Sequence, residues 1–376
     1  MPTPAASRNQ FKTAMTSAEL ADFRRAAWRY YQPAPAEELA LFGQKRQLRP
    51  GLTFTPFANP VRCNAHCAFC SEELLRHEGH QLTAKRLIDD YPAYFARLQE
   101  VLTPLRGFPL GLSLSGLEAT AEPRWLRELL ACLRAAEGEG LVFDEKVLYT
   151  NGSGLATNPD LILALADFDL TRVELSRCHP DAEVNQSIMR FNRNQPIRHA
   201  AVYAATVRNL HQHLVVRNSC ILTRAGVAAI ADVEAYLAWA AGLGVRQVVF
   251  RELSQLDGSY QSTAFTAWIE ANRVPIEPLL QAVAPTLEQQ RPGWTYQGST
   301  FGYYYYNEHY RWRGLEVVLE TSSYPALQAA TATGIIQKLV FHSDGTLSGD
   351  WDPASQVLSP APRHAPPDVA ELRILS

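Results

Sequence analysis

The feature that most constrains the fold of this chain is an alternation of strand and helix patterns across about two thirds of its length. Each helix that follows a strand returns the chain to the same end of a sheet, so such alternation predicts parallel strands joined by right-handed crossovers. Eight units would close a TIM barrel, and six predict an α/β fold with a partial (β/α)6 TIM-like barrel. The predicted strands are 51–57, 110–115, 144–150, 170–176, 214–222 and 245–252, and the predicted helices are 84–104, 123–136, 158–166, 200–212, 228–242 and 263–290, the last broken near Pro275 and Pro278.

Different patterns flank this alternation. Residues 17–46 show helical spacing of apolar positions, which predicts an N-terminal helical extension over 1–50. After the core at 51–292, the chain becomes rich in strand and hairpin signals, at 315–320, 338–342 and 347–351. Residues 293–376 are therefore predicted to form a β-rich extension and a proline-containing tail.

Composition excludes several classes of protein. The 376 residues are 47% hydrophobic and 19% charged with a net charge of −3, which is typical of a globular domain without a nucleic-acid partner. No apolar stretch reaches the roughly 18 residues that a membrane span needs. The first 15 residues lack the apolar region of a secretory signal, so the predicted location is the cytoplasm.

Three of the six cysteines lie within eight residues, in the sequence CNAHCAFC that contains Cys63, Cys67 and Cys70. Thiolates are soft ligands that suit iron–sulfur clusters, zinc and Cu(I). A structural zinc site that also uses His66 or a distant cysteine is one alternative, but zinc motifs usually come as two paired halves. Three ordinary buried thiols are the other alternative. The spacing favours a [4Fe–4S] cluster with three cysteine ligands and one iron open to another ligand.

Polar residues follow the ends of several predicted strands. The cysteines follow the first strand, Ser115–Glu118 the second, Asn151 the third, and Ser176 and Arg177 end the fourth. Active sites in parallel α/β folds lie at the carboxyl ends of the strands. The sequence therefore predicts one site that gathers these residues at that edge.

The cysteine sequence resembles the CxxxCxΦC signature of radical S-adenosylmethionine (SAM) enzymes, with Phe69 as the aromatic residue. The resemblance covers about residues 51–290 and implies the same (β/α)6 fold. It implies that Cys63, Cys67 and Cys70 bind a [4Fe–4S] cluster whose fourth iron binds SAM. Reductive cleavage of SAM then gives a 5′-deoxyadenosyl radical that abstracts hydrogen from a substrate. It also implies an external one-electron reductant such as flavodoxin or ferredoxin.

Weaker resemblances concern the SAM site. Ser115, Gly116 and Glu118 lie in a segment similar to the glycine-rich segment of that family that meets the SAM amine, from which Leu117 and Ala119 depart. Ser176 resembles a polar residue of the fourth strand that meets the ribose or carboxylate of SAM. Arg177 is then expected to pair with the carboxylate, and a surface ion pair is its alternative role.

Five further positions have two interpretations each. Asn151 either bonds SAM or forms a turn with the glycine after it. Asn218 and Leu222 either border the adenosine or belong to a buried strand. Arg251 and Glu252 are adjacent on a strand and so face opposite sides, which allows one of them to contact a polar substrate in the barrel; a solvated strand end is the alternative.

Sequence features that are missing narrow the class of substrate. No cysteine follows Cys220, so the cysteines of a SPASM-type auxiliary cluster are missing, and the first 50 residues are short for a cobalamin or peptide-leader domain. We expect a small molecule such as a sugar, nucleoside or amino acid, as in natural-product biosynthesis. A peptide substrate and, in another class, a non-catalytic iron–sulfur electron carrier are the alternatives.

Overall fold

The computed structural model of this protein describes residues 15–57, 60–75, 77 and 87–362. Its described strands all belong to one sheet, flanked by helices. The strands are β1 (Glu37–Leu41), β2 (Gln44–Pro56), β3 (Pro109–Leu114), β4 (Val142–Thr150), β5 (Arg172–Ser176), β6 (Val216–Ile221), β7 (Gln247–Arg251), β8 (Trp294–Phe301), β9 (Tyr306–Trp312), β10 (Leu315–Glu320), β11 (Ile336–Phe341), β12 (Leu347–Ser348) and β13 (Val357–Ser359).

The centre of the sheet confirms the predicted fold class. Strands β2 to β7 lie side by side in chain order, and every neighbouring pair among them is parallel. These six strands correspond to the six predicted ones, so the α/β fold with a partial barrel follows from the strand order itself.

The helices that connect these strands overlap the predicted ones. The helix predicted over 84–104 begins at Tyr91, with residues 84–86 outside the described part of the chain, and the helix predicted to reach 290 ends at Val283. Two short helices, α4 (Ser153–Thr157) and α6 (Ala182–Met189), fall in segments that the sequence assigns to loops. The helices are α1 (Ser17–Arg25), α2 (Tyr91–Leu102), α3 (Pro123–Gly138), α4 (Ser153–Thr157), α5 (Asp160–Asp167), α6 (Ala182–Met189), α7 (Ala200–His211), α8 (Ile230–Gly242), α9 (Ala264–Asn272), α10 (Glu277–Val283) and α11 (Tyr324–Ala332). Among the described residues, none of these helices has the length and apolarity to cross a membrane.

The prediction of helix across 17–46 is wrong beyond Tyr30. Strands β1 and β2 form an antiparallel hairpin in which Leu41 pairs with Gln44. Phe42 and Gly43 both have positive φ, 50° and 77°, as a two-residue hairpin turn of this kind requires. Pro33 and Pro35 end the helical region before the hairpin, because proline disrupts a helix interior.

The C-terminal extension continues the barrel sheet at both edges. Strand β10 pairs in parallel with β7, and β11 pairs in parallel with β2. The described sheet therefore has eight parallel strands, two more than the sequence predicts. Strands β10 and β11 do not pair with each other, because their other neighbours are β9 and β12. We call the space between β10 and β11 the seam; the connection that carries α11 joins its two sides.

The N-terminal helix is attached to the C-terminal extension by a buried ion pair. Arg24 of α1 donates from Nε and Nη2 to the two carboxylate oxygens of Glu308 in β9, both at 2.7 Å. Both side chains are fully buried. The hydroxyls of Tyr306 and Tyr310 also donate to this carboxylate. The two flanking segments therefore form one packed unit beside the barrel.

Candidate functional site

The cysteine loop, residues 60–75, follows β2 and lies at the edge where the parallel strands end. Its backbone is held by the end of α6 and the residue after it: His66 N donates to Arg190 O at 3.1 Å, and Ala68 N donates to Ile188 O at 2.9 Å. Backbone bonds of this kind fix the path of a loop independently of its side chains. The path of the cysteine loop is thus fixed by main-chain carbonyls at the end of α6, the helix that follows β5 in the chain.

The three thiols of this loop lie close enough to influence one another. Burial raises the pKa of Cys63 to about 11 and of Cys70 to about 12, with contributions from Glu118 and Glu72 respectively. Burial also raises the pKa of Cys67, and repulsion from the other two thiolates adds to it. Three neighbouring thiolates are therefore costly here unless a metal compensates their charge.

This donor set fits a [4Fe–4S] cluster. In the described part of the chain, no group of three His, Cys, Asp or Glu side chains is arranged to hold a metal ion. A four-iron cluster binds each thiolate through a different iron, and so does not require thiols that converge on one point. All three cysteines are free and only partly exposed. Phe69 packs partly buried between them and the hydrophobic core.

Glu118, predicted to meet the SAM amine, joins the ends of β3 and β4 instead of facing an open space. Its carboxylate accepts from Thr120 N at 3.1 Å, the hydroxyls of Thr120 at 2.5 Å and Thr150 at 2.6 Å, and Asn151 N at 2.7 Å. Burial raises its pKa even though these donors oppose the rise. A contact with SAM stays a prediction, and the observed role is to fix the edge of the site.

Replacing Glu118 with glutamine should destabilise the protein. In glutamine, an NH2 group takes the place of one carboxylate oxygen. The buried N–H or O–H groups that now donate to that oxygen would then lose their acceptor. We expect the free energy of unfolding to fall by about 1–3 kcal/mol, measured by urea denaturation. Glu122→Gln is the matched control, because Glu122 accepts only one backbone hydrogen bond at an exposed helix start. Equal stability of the two variants would contradict the role given to Glu118.

Ser115 and Gly116 remain partly exposed at this edge. Gly116 has a φ of 106°, a conformation that side-chain-bearing residues rarely adopt. Ser115 shares a hydrogen bond of 2.9 Å with Ser113, the neighbour on the same face of β3. These two residues therefore offer backbone and hydroxyl groups to a ligand in the place that the sequence predicts.

Asn151 connects the end of β4 to the cysteine loop. Its side-chain amide donates to Asn64 Oδ1 at 2.9 Å, and its oxygen accepts from Ser153 N at 2.9 Å at the start of α4. Asn64 in turn donates to the Ser153 hydroxyl at 2.6 Å. Asn64 was not singled out by sequence reasoning, which offers no signal for it beyond its position beside Cys63. Asn151 thus has the turn role foreseen for it and also positions the cysteine loop.

Ser176 and Arg177 point to opposite sides of β5. Ser176 lies in register with Ser219 of β6 and is partly exposed. Arg177 is buried: it donates to the carbonyls of His179 and Pro180, and its guanidinium stacks on the ring of Tyr203 at 4.8 Å. Among the described residues, its buried Nη1 has no hydrogen-bond partner. These contacts correct the alternative of a surface ion pair, while a contact between Arg177 and SAM stays a prediction.

Asn218 and Leu222 lie among buried residues around β6. Asn218 Oδ1 accepts from the hydroxyl of Tyr203, a residue of α7, at 3.1 Å. Leu222 is fully buried in the main hydrophobic core. The structure thus favours the simpler of the two interpretations, a buried strand, for both residues.

Arg251 and Glu252 face opposite sides, as predicted. Arg251 forms ion pairs with Glu174 at 3.4 Å and with Glu320 at 3.0 Å, and lies over the ring of Tyr149 at 5.5 Å. These partners come from three other strands and share one face of the sheet, which is the inside of the barrel. Glu252 instead pairs with Arg273 after α9. Arg251 is therefore the member of the pair that can reach a ligand in the barrel.

Glu174 is the centre of the charged interior of the barrel, and sequence reasoning missed it. Burial by itself would raise the pKa of its carboxyl group, but three arginines outweigh burial and hold this pKa below its ordinary value. Polar residues at every second position of β5 are the signal that could have revealed it. The three arginines that pair with Glu174 are Arg172, Arg217 and Arg251.

This pKa predicts a loss of stability in acid. The folded-state pKa of Glu174 lies below the unfolded value of about 4.3, so its stabilising effect is complete above that pH. The effect disappears as the pH falls through the lower folded-state pKa. Glu174→Gln should therefore be less stable than the parent at pH 7 and lose less stability on acidification. Chemical denaturation between pH 7 and 3 tests this, with exposed Glu288→Gln as the control; parallel curves for Glu174→Gln and the parent would refute it.

A loop of three tyrosines lies at the same edge of the barrel. Tyr303, Tyr304 and Tyr305 form the tip of the β8–β9 hairpin, with ring centroids 4.8 Å and 5.3 Å apart. Ser323 N, just after β10, donates to Tyr304 O at 2.9 Å. The aromatic pairs form in the hairpin loop, beside the end of β10.

No known family model matches this chain, and no curated protein matches it. Among solved structures, HemN from Escherichia coli, a coproporphyrinogen III oxidase that is a radical SAM enzyme, is similar at 14% identity and a TM-score of 0.40, over 76% of this chain and 74% of HemN. SuiB from Streptococcus suis, also solved with SAM and with its precursor peptide SuiA, is similar at 11% identity and a TM-score of 0.44, over 81% of this chain and 61% of SuiB. The enzyme anSMEcpe with bound AdoMet is similar at 17% identity and a TM-score of 0.41, over 57% of this chain and 54% of its own. This chain therefore spans little more than half the length of anSMEcpe and about three fifths of SuiB.

Proposed function

We propose that this chain is a radical SAM enzyme that binds a [4Fe–4S] cluster through Cys63, Cys67 and Cys70. One observation carries the proposal: three free, partly buried thiols lie on one loop at the carboxyl edge of a parallel barrel. This is the edge where α/β barrels hold their active sites. When bound, the cluster supplies the electron that cleaves SAM and an open iron that orients SAM.

The chain's own residues hold and shield this site. The Asn64–Asn151 hydrogen bond and the backbone bonds from the end of α6 and the residue after it fix the cysteine loop against β4 and α6. Ser115, Gly116 and Ser176 are the partly exposed groups at this edge that we assign to SAM. Phe69 packs against neighbouring apolar residues and keeps water from the cysteines.

The charged barrel interior indicates a polar substrate. Arg251 lies partly exposed among carboxylates and a tyrosine ring, so it is our candidate for a substrate contact. A small molecule is the substrate class we propose, and a peptide remains the alternative. The electron would come from an external carrier such as flavodoxin or ferredoxin, in the reducing cytoplasm where free thiols persist.

The test is reductive cleavage of SAM. Protein reconstituted anaerobically with iron and sulfide is incubated with SAM and dithionite, and 5′-deoxyadenosine is measured by mass spectrometry. We expect 5′-deoxyadenosine and a change in the electron paramagnetic resonance spectrum of the reduced cluster when SAM is added. A reduced cluster that neither responds to SAM nor yields 5′-deoxyadenosine would identify the protein as an electron carrier instead.

A further inference from the structure

The seam between β10 and β11 contains a cavity of about 760 Å³. It is lined by the N-terminal segment, β2, the loop after β7, the starts of α10 and β11, and α11. Glu252, Arg273 and Tyr303, described above, are among the residues that line it, whereas the cysteines and the residues assigned to SAM are not. Its volume exceeds that of a single side chain several times, so it can hold a ligand of metabolite size.

Two residues that line the cavity each carry a buried polar atom with no partner. In the part of the chain that the structure describes, neither Arg49 Nε nor Gln337 Oε1 has a hydrogen-bond partner. Arg49 donates from Nη1 to Ala34 O, which leaves its Nε–Nη2 edge unpaired among the described residues. This edge of a guanidinium suits a carboxylate held by two hydrogen bonds. Gln337 Oε1 requires an N–H or O–H donor.

The charged side chains that line the cavity also differ in whether they have an ion-pair partner. Arg25 pairs with Asp22 and Arg273 pairs with Glu252, so both of these cations are neutralised within the protein. Arg49 and Glu277 line the cavity and have no ion-pair partner among the described residues. The cavity therefore presents one unpaired cation and one unpaired anion, which complements a ligand that carries both charges.

The remaining wall is apolar and adjoins the cysteine loop. Pro325, Ala326 and Ala330 of α11 line the cavity. Tyr324, the first residue of the same helix, belongs to a hydrophobic cluster with Leu74 and Phe69 of the cysteine loop. The helix that lines the cavity and the cysteine loop thus share one hydrophobic cluster.

We propose that the seam cavity binds an α-amino acid, with its carboxylate on Arg49, its ammonium group between Glu277 and Gln337, and an apolar side chain against α11. Its role as the substrate site rests on the proposed function, whereas the binding itself does not. The carboxyl end of a peptide shares the carboxylate and the neighbouring N–H but lacks the ammonium charge. The ammonium charge therefore distinguishes a free amino acid from the carboxyl end of a peptide.

Isothermal titration of the reconstituted protein tests the ligand class with four probes that share one side chain. These are L-leucine, L-leucinamide without the carboxylate, 4-methylpentanoate without the amine, and N-acetyl-L-leucine without the ammonium charge. We expect L-leucine to bind, and each of the other three to bind at least about tenfold more weakly, as for loss of a charged hydrogen bond. N-acetyl-L-leucine that binds as tightly as L-leucine would overturn the free amino acid in favour of a peptide end. Absence of any saturable binding would overturn the site.

Variants test the residues. Arg49→Gln should weaken L-leucine binding about tenfold or more, and Glu277→Gln should weaken L-leucine but not N-acetyl-L-leucine. Arg46→Gln is the matched control, because Arg46 lies on the same strand and also donates to a backbone carbonyl, that of Val357, at 3.3 Å. Thermal melting checks that each variant is folded. Binding that Arg49→Gln leaves unchanged refutes the assignment.

The same titration on a Cys63→Ala variant separates the two proposals. If SAM cleavage fails in the parent but Arg49-dependent binding of L-leucine persists, the proposed function is wrong and the amino-acid site stands. If SAM is cleaved but L-leucine binding is absent or independent of Arg49, the reverse holds.

Discussion

Replacing Cys67 with alanine is expected to abolish both the cluster and SAM cleavage. Cys67 is the middle cysteine of the loop, and burial together with the neighbouring thiols raises its pKa. With only two cysteines left, the cluster would have half of the four thiolates that a [4Fe–4S] cluster normally takes. We expect iron content after anaerobic reconstitution to fall from about four per chain to near zero, with no detectable 5′-deoxyadenosine.

The matched controls are two cysteines outside the loop. Cys132 lies buried on α3, and Cys178 lies at the end of β5, close enough to affect the pKa of Cys67. Alanine at either position should leave the iron content and the cluster spectrum unchanged, because neither belongs to the proposed ligand set. Loss of the cluster in Cys178→Ala would show that the three-cysteine assignment is incomplete. Retention of a full cluster in Cys67→Ala would refute the assignment.

Replacing Arg24 with methionine should produce the largest loss of stability. The substitution keeps an unbranched apolar side chain but removes the guanidinium group, which leaves the Glu308 carboxylate buried without its cation. Breaking a buried ion pair on one side costs about 3–5 kcal/mol, because the remaining charge is uncompensated. We expect this decrease in the free energy of unfolding by chemical denaturation at neutral pH.

A second substitution tests the cause. In Arg24→Met combined with Glu308→Leu, the uncompensated charge is gone, so stability should recover much of the loss. Arg124→Ala serves as a control, since Arg124 and Glu128 form an exposed pair on one helix, where ion pairs contribute about 0–1 kcal/mol. A double variant no more stable than Arg24→Met would attribute the effect to packing rather than to charge.

Local patterns predicted the centre of the fold but not its edges. The alternation of strands and helices located β2 to β7, because each unit carries its own periodicity and its own turn. Nothing in the segments Leu315–Glu320 and Ile336–Phe341 indicates that they extend the barrel sheet on opposite sides. Such pairing depends on residues that are distant in sequence, and on packing that a local pattern does not record.

The site shows a similar division. The cysteines and the exposed residues at strand ends followed from motif and topology. Strand alternation placed Arg251 and Glu252 on opposite faces, and the same rule applies to Ser176 and Arg177, whose side chains diverge in the structure. The side-chain bond between Asn64 and Asn151 joins two loops, and its partners could not be paired from a single sequence.

The pairing of β2 with β11 also sets an order for folding during synthesis. Phe341 lies opposite Pro56, just before the cysteine loop, so this edge of β2 stays open until β11 has been made. At typical rates of translation, about 5–20 residues per second, this interval lasts on the order of tens of seconds. Contacts that join such distant segments form late and slow the final step of folding. The strand that leads into the three cysteines is therefore made before the other described parallel strands and is among the last to gain both of its neighbours.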